Sequence, residues 1–570
     1  MLQDKGRILT AAAFALVASG ALSEAARAQS LPLPPGTVAS GTVYNGSVSV
    51  PSVSTGADAN TLVGGKPPTA PFVTSAPAAA VITSAPTTYV RVYTQGVTAP
   101  NRAYIANSDV IRGLDAAQIK DVLALPYLPN MLTIVEVPAG TCLLTATGAP
   151  ISGWGSGGAA QSYIIGATTN PHCQNAQYLS AQDYSARQPI GAAALAYLPN
   201  AGTGATAAVA FALDHANPFP APFSDMDGIY NNLDWWNYAG AAPLQQALAQ
   251  LDGEIYADAS SVAIAAHRLF LGAIVDALQS KAGAIGKPVV WGAALGGAGS
   301  LNGDNGSHDV NFAAWGGVLG IDYRMDTALR FGIAGGYTRG QFSTVGVPGD
   351  GGANAFSVAP YLRWAPSALY VEGAVGYGYN DASVNRTISI PGYPGARSDV
   401  YRTATGTPHA NDFLARLEAG YQVGLTPATS LTPLLAGDAV VYSQGGFTES
   451  GAGAANLRVS GATTSSVLGI LGAQLKQDVA VGLPSPLELT VRAAWTHEFA
   501  PADRTITASL TGTPGASFTV DGASVPRNAA AFGVGASVKT GQAQIFTRYF
   551  ASVGGGQAAQ GGALGVRWSF

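Results

Sequence analysis

From residue 286 onward the sequence repeats one pattern, and that pattern constrains the fold more than any other feature. In "ALRFGIAGGYTRGQF" the residues Leu329, Phe331, Ile333, Gly335 and Tyr337 share one parity. In "ALYVEGAVGYGYN" Leu369, Val371, Val375, Tyr377 and Tyr379 stand opposite Glu372. In "LELTVRAAWTHEF" Leu487, Leu489, Val491 and Trp495 stand opposite Glu488, Arg492 and Glu498. Period-two alternation is the signature of a strand with one apolar face. About twelve such runs recur, each close to the roughly 9–11 residues that a tilted strand needs to cross a bilayer.

The connections between runs are unequal. Short ones ("RMDT", "APS", "TPATS", "VGLPSP", "KTGQ") alternate with longer ones rich in Gly, Pro, Ser and Thr, such as "DASVNRTISIPGYPGARSDVYRTATGTPHA" and "PADRTITASLTGTPGASFTVDGASVPR". Outer-membrane barrels show that asymmetry, with tight periplasmic turns and long external loops. A soluble sandwich has no reason for it. The faces opposite the apolar ones carry Arg, Glu, Gln, Thr and Gly, which suits a polar lumen and reverses the pattern of a soluble barrel. An even strand count returns both ends of the barrel to the periplasmic side. The last run, "ALGVRWSF", puts Leu564, Val566, Trp568 and Phe570 on the lipid face and Arg567 on the lumen face.

Composition agrees. Charged residues are only 11% and apolar residues 47%, with 72 Gly, yet the apolar runs are broken short of the roughly 18 residues of a helical span. A net charge of −5 argues against nucleic acid as a partner. At the N-terminus, Lys5 and Arg7 precede the apolar "ILTAAAFALVASGAL", and small residues at Ala26 and Ala28 follow. This reads as a secretory signal peptide, 1–28, cleaved after Ala28. Two cysteines, Cys142 and Cys173, in an exported chain suggest one disulfide; metal binding through His172 and Cys173 is the weaker alternative, since no further ligands cluster with them.

Between leader and barrel lie four zones. Residues 29–85 are a Pro/Ser/Thr-rich arm of low complexity. Residues 86–180 mix strand-like "TTYVRVYT" and "MLTIVEVPAG" with a helical "SDVIRGLDAAQIKDVLAL" headed by Ser108, a small α+β passenger module. Residues 181–257 are a linker and junction. Residues 258–282 form a helix with small and apolar side chains on most faces, which asks to be enclosed. Asp252, Glu254 and Asp258 precede or open this helix, where acids are commonplace. No 20–30-residue repeat, G-x-S-x-G or H-E-x-x-H supports a stalk, an esterase or a zinc protease in the passenger, and no motif calls for a cofactor.

The ordered set from about 190 to 570 resembles the autotransporters, the type V secretion proteins of Gram-negative bacteria. It runs from "LAYLPNAGTGATAAVAFALD" through "PLQQALAQLDGEIYADASSVAIAAHRLF" and "VVWGAALGGAGSLNGDNGSHDVNFAAWGGVLGIDYRMDTALRFGIAGGYTRG" to "VRAAWTHEF" and "GVRWSF". The resemblance implies a mainly β fold: a barrel of about twelve strands over 286–570, a helix in its lumen, and a passenger at the cell surface for surface binding. It implies that Arg268 and Asp276 of the helix pair with lumenal Glu372, Glu418, Arg416 and Arg492. It implies outer-membrane lipid, the barrel-assembly machinery, periplasmic chaperones and an unknown surface ligand as partners. Leu564, Val566, Trp568 and Phe570 would then be the signal that the machinery reads.

A second, more local resemblance links "VIRGLDAAQIKDVLALPYLPNMLTIVEVPAGTCLL" and "GWGSGGAAQSYII" to modules of secreted effectors, some of which look like NAD-cleaving or ADP-ribosylating folds. It would give Arg91 or Arg102, with Gln161, the nucleotide. Read on their own, Arg91 is a solvated strand residue and Gln161 a strand-edge amide. Surface binding without chemistry is therefore the first reading, and a nucleotide-processing enzyme the alternative.

Overall fold

The computed structural model describes residues 31–37, 43–44, 48–166, 179–180, 182–280, 283–304, 306–392, 399–482 and 485–570. The expected leader with Ala28, and the expected disulfide partner Cys173, lie outside the described residues.

Twelve antiparallel strands close a barrel: β1 (Pro288–Leu301), β2 (Val310–Arg324), β3 (Leu329–Thr344), β4 (Gly349–Trp364), β5 (Leu369–Ile390), β6 (His409–Tyr421), β7 (Thr429–Gln444), β8 (Ala462–Val479), β9 (Leu487–Glu498), β10 (Asn528–Thr540), β11 (Ala543–Gly554) and β12 (Gln557–Ser569). Each strand pairs with its sequence neighbours. β1 closes on β12, in register from Val289 opposite Ser569 to Leu301 opposite Gln557. Closure leaves no unpaired edge, the condition for strands in lipid. The alternation is obeyed throughout: Leu319, Ile333, Val375, Val491 and Leu564 are exposed on the outer wall. Asp322, Glu372, Arg330 and Arg567 are buried within.

At one rim the connections are 325–328, 365–368, 422–428, 480–486 and 541–542. At the other rim, 391–408, 445–461 and 499–527 are long, but 345–348 and 555–556 are tight. There the strands run on instead of giving way to loops. β5 continues to Ile390 and pairs beyond the barrel with Val400–Gly406, so the expected loop is a projecting hairpin. The other long connections contribute Phe447–Thr448, Leu457–Val459, Thr505–Leu510 and Ser517–Asp521 to a four-stranded sheet over the same rim.

The stretch expected as linker and junction folds into three helices: α1 (Ala205–Asp214), α2 (Asp225–Ala239) and α3 (Ala241–Ala249). They pack on the rim elements through one core that joins Val209, Ile229, Leu233 and Leu248 to Val384, Ile390, Leu457, Ile506 and Val520. The low-complexity look of 190–216 reflects alanines that let helices approach closely. α4 (Ile255–Gln279) then runs down the lumen and ends beside the start of β1, shifted by three residues at each end from the expected 258–282. It is long and apolar enough to cross a membrane, which the sequence reading of short apolar runs missed; here the strands enclose it.

N-terminal to these helices, two antiparallel sheets face each other. One orders Ala78–Ile82, Cys142–Thr147, Ala160–Ile164 and Tyr104–Ile105; the other orders Thr87–Tyr93, Met131–Val137 and Ala186–Pro189. Val81, Leu143, Tyr89 and Val135 fill the gap between them. Helix Gly56–Leu62 covers the outer face of the first sheet. Helix Ala116–Val122 covers the second. Both sheets are thus buried on both faces, which accounts for continuous apolar runs such as "MLTIVEV". The expected arm contributes a helix and a strand to this fold. The helix headed by Ser108 is a short 3₁₀ turn instead, because Gly113 takes a positive φ of 75°; the α-helix restarts behind Asp115, whose side chain caps it in a box with Gln118.

Candidate functional site

The lumen holds α4 by charge and by shape. At its lower end, the last carbonyls of the helix accept from cations: Arg330 donates to Ala277 and Leu278, Arg567 to Ala277, and Lys476 to Gln279 (3.1 Å). Unsatisfied carbonyls and the helix dipole both favour positive charge there. Arg567 also forks onto Asp322 at 2.7 and 2.9 Å. At the same end, Glu418 accepts from Arg416, Arg492, Tyr370 and Gln279, each at 2.9 Å. Gln279 also donates to Glu372, which pairs with Arg363.

Of the expected helix contacts, Glu372, Glu418, Arg416 and Arg492 do form one cluster, but they meet the helix through Gln279. Asp276 pairs with Arg548 (2.9 Å), and Arg268 lies 3.6 Å from Glu498 while donating to Ser466 (2.6 Å). Strand parity could name the lumenal side chains; only the helix rotation decides which of them face positions 268 and 276.

Midway along the helix, His267 stands between Asp412 (2.8 Å) and Ser357 (3.2 Å), with Asn380 donating to Asp412. A serine, a histidine and a carboxylate in a row suggest hydrolysis, yet His267 is 0% exposed and no substrate reaches it. The trio works as a dowel between helix and wall. Shape adds to it: a Cβ on Gly378 would lie 2.6 Å from His267 Cε1, and one on Gly336 2.6 Å from Phe270 Cδ2. At the upper mouth, Glu254 accepts from the His308 ring (2.7 Å), and Asp258 accepts from the Ala523 amide (2.9 Å). Burial, with the Glu254 charge adding, pushes Asp252 up to about 7.

A second constellation joins the passenger to the rim. Arg112, fully enclosed, donates to Asp234 of α2 at 2.6 Å and to the Tyr197 hydroxyl at 3.1 Å, with Tyr230 beneath its guanidinium at 4.7 Å. Burial opposes its charge, but Asp234 and the tyrosines outweigh it and hold the pKa above the usual range. Trp235 of α2 belongs to the same core as Ile111, Ile119 and Ile134 of the passenger. The far side of α2 grips the β5 hairpin: Trp236 donates to Pro391 O (2.8 Å), and Arg402 pairs with Asp225 (2.5 Å). One like-charge contact strains the joint. Burial lifts Asp109 to about 6, and Asp227 of α2 adds to the shift.

In the passenger itself, Arg91 is not solvated as the sequence suggested. Its guanidinium donates to Ala99 O and to Tyr104 O (2.8 Å), and burial lowers its pKa to about 10. Gln161 is also buried, donating to Leu123 O (3.0 Å). Arg102 is exposed. Cys142 is disulfide-bonded and buried. No local pattern marks Arg112 and Asp234, which stand 122 residues apart.

Residues 290–549 match the family model described as Autotransporter beta-domain. The barrel is an autotransporter β-domain. Esterase EstA of Pseudomonas aeruginosa is 28% identical over 208 residues, 36% of this chain and 30% of that protein. An extracellular serine protease of Serratia marcescens is 25% identical over 311 residues, 53% of this chain and 28% of that protein. The chain therefore spans under a third of the length of these curated relatives. Among solved structures, the translocator domain of NalP from Neisseria meningitidis is similar at a TM-score of 0.44 and 18% identity, covering 55% of this chain and 98% of that one. The transport unit of AIDA-I from Escherichia coli gives 0.40 and 20%, covering 51% and 92%.

The β-domain places the protein in the outer membrane. Its outer wall suits that setting. Leu564, Val566, Trp568 and Phe570 are exposed to the extent of 60, 48, 46 and 60%, all on the lipid side, whereas Arg567 is 1% exposed inside.

Proposed function

We propose that this protein carries its own N-terminal module, about residues 31–190, to the cell surface and keeps it there as a binding module. The clamp at Arg112 carries this reading. Passenger, α2 and the β5 hairpin share buried contacts, so the module is built onto the barrel rather than tethered by a free linker. The three long connections and α2 lie at one rim and the other carries only short connections, which supports the first rim as the external one. Outer-membrane lipid, periplasmic chaperones and the assembly machinery are its partners in reaching that state. The outward ring of Trp568 and Phe570 is the part that the machinery would read. The surface ligand is met by the passenger, whose exposed Tyr127 and Leu128 offer apolar contact.

The intact mass of the outer-membrane product tests this directly. One species starting after Ala28 and containing barrel and passenger supports retained display. Two fragments divided between 190 and 290 would replace display with release. The alternative of NAD cleavage draws no support from the positions of Arg91 and Gln161, whose polar groups are engaged with backbone carbonyls. Turnover of NAD by the purified protein would restore it.

A further inference from the structure

The outer wall of the barrel changes chemistry at one height on neighbouring strands. On β4 the outward residues from Trp364 to Phe356 are apolar, and Asn354, Gly352 and Asp350 follow toward the rim of the long connections. On β3 Tyr337 gives way to Arg339, on β5 Tyr379 to Asp381, and on β6 Phe413 to Asn411. The apolar stretch of β4, tilted by about 40°, rises about 20 Å, close to the ~25 Å apolar band of outer-membrane barrels. What lies above it stands level with lipid headgroups. Tyr337, Phe356 and Tyr379 are cross-strand partners and make an aromatic row at that boundary, where such rings settle in membranes.

The strand register stacks polar rows above the aromatic one. Arg339, Asn354 and Asp381 form the first row, and Asp350 and Asn385 stand in the third. The row between them sinks, because Gly352 has no side chain and its neighbour Ser383 has a short one. The result is a bowl of about 880 Å³ over β2–β5. A Cβ on Gly352 would find only Gly340 O at 3.7 Å and Arg339 Nη2 at 3.9 Å, so the guanidinium reaches over an open floor. Among the described residues, Arg339 and Asp350 make no ion pair or side-chain hydrogen bond. Asp381 lies 3.3 Å from His409.

This set of groups matches a phosphate carried on a polyhydroxyl ring. A free guanidinium pairs with phosphate through two parallel hydrogen bonds. The carboxylates of Asp350 and Asp381 accept from hydroxyls, and the amides of Asn354 and Asn385 can do either. With two carboxylates beside one cation, a phosphate that brings hydroxyl donors gains more here than one that brings none.

We propose that the bowl binds a glycolipid of the outer leaflet whose headgroup is a phosphorylated sugar. Arg339 holds the phosphate, the carboxylates and amides hold the sugar, and the acyl chains lie down the wall over Phe356 and Val358. The assignment to the outer leaflet rests on the external rim proposed above. The binding itself does not, and no passenger residue lines the bowl.

The test is a native mass-spectrometric titration of the full chain in detergent micelles, with folding checked by heat-modifiable migration on gels. Bisphosphorylated lipid A is the probe, and phosphatidylglycerol is the anionic lipid without a sugar. The expected result is saturable binding of lipid A, at least about tenfold tighter than phosphatidylglycerol. Arg339→Gln is expected to weaken it roughly tenfold to a hundredfold, the loss of one charge-assisted contact. Gly352→Phe fills the floor and is expected to weaken it as much. Gln560→Ala is the control: it accepts from Tyr549 at 2.7 Å on β12 as Asn354 accepts from Tyr337 at 2.7 Å, but lies outside the bowl, and should bind like the wild type. Equal affinity for the two lipids overturns the proposal, as does wild-type affinity in folded Arg339→Gln or an equal loss in Gln560→Ala. So does a deacylated headgroup that binds as tightly as the intact lipid, which would place the ligand in solution. Should Gly352→Phe fail to fold, Arg339→Gln still decides. Passenger display is read separately, by the intact mass of the product, so either reading can fail alone.

Discussion

Replacing Arg112 by Ala should loosen the passenger from the barrel while leaving the barrel intact. The substitution takes the guanidinium away from the buried Asp234 carboxylate, 1% exposed, which keeps the Tyr197 hydroxyl at 2.8 Å. Breaking a buried pair in this way costs about 3–5 kcal/mol, because the surviving charge stays desolvated. At 1.4 kcal/mol per tenfold, the opening equilibrium of the joint rises by roughly two to three and a half powers of ten. Amide hydrogen exchange of the full chain in lipid nanodiscs reads this directly. Amides of Asp225–Ala239 should exchange faster by that factor, while those of β1–β12 keep their rates. The pair Arg112→Met with Asp234→Leu should recover most of the protection, since an apolar pair of similar volume often replaces a buried ion pair without loss. Exchange in α2 that stays within about twofold of wild type in the single variant, a change worth under ~0.5 kcal/mol, would refute the clamp.

Three further outcomes follow from the geometry. Asp109 has a folded pKa near 6 against 3.8 unfolded, so the stability that this one group contributes to the joint is fully present below 3.8 and is lost as the pH rises through 6. Asp109→Asn should remove this slope and slow exchange in α2 at neutral pH more than at about pH 5; an unchanged slope contradicts it. Gly378→Val drives a side chain into His267 and should lower the temperature at which the folded band is lost on gels, by the about 1–3 kcal/mol typical of overpacking. Gly437→Ala, whose Cβ would find nothing closer than 3.9 Å, should not. Deleting Phe570, whose ring is 60% exposed, removes little packing, so a sharp fall in assembled protein with unchanged heat stability of the remainder indicates reading by the assembly machinery; normal yield excludes it.

The barrel was legible because its rule is local. A lipid-facing strand must alternate, so Leu329, Phe331 and Ile333, or Leu489, Val491 and Trp495, declare their faces one residue at a time. The lumen helix was legible for a similar reason, as few solvent-facing helices have alanine, valine and isoleucine on most faces. What was hidden depends on pairing at a distance. Asp276 could not name Arg548, nor Arg112 name Asp234, since no local pattern links positions so far apart. Helix α1 was masked by alanine-rich, loop-like composition that only a shared core with Leu457 and Ile506 explains. Arg91 looked like a surface strand residue because its sheet reads as half-buried, whereas the facing sheet covers it through Tyr104.

One measurement reaches the central claim, that the N-terminal module stands outside the cell and remains docked on its own barrel. An epitope placed between Tyr127 and Leu128, both more than half exposed, is probed by antibody on intact cells and in the culture medium. The account predicts full labelling of intact cells and none in the medium. Labelling that requires a permeabilised outer membrane, or an epitope that collects in the medium, contradicts it.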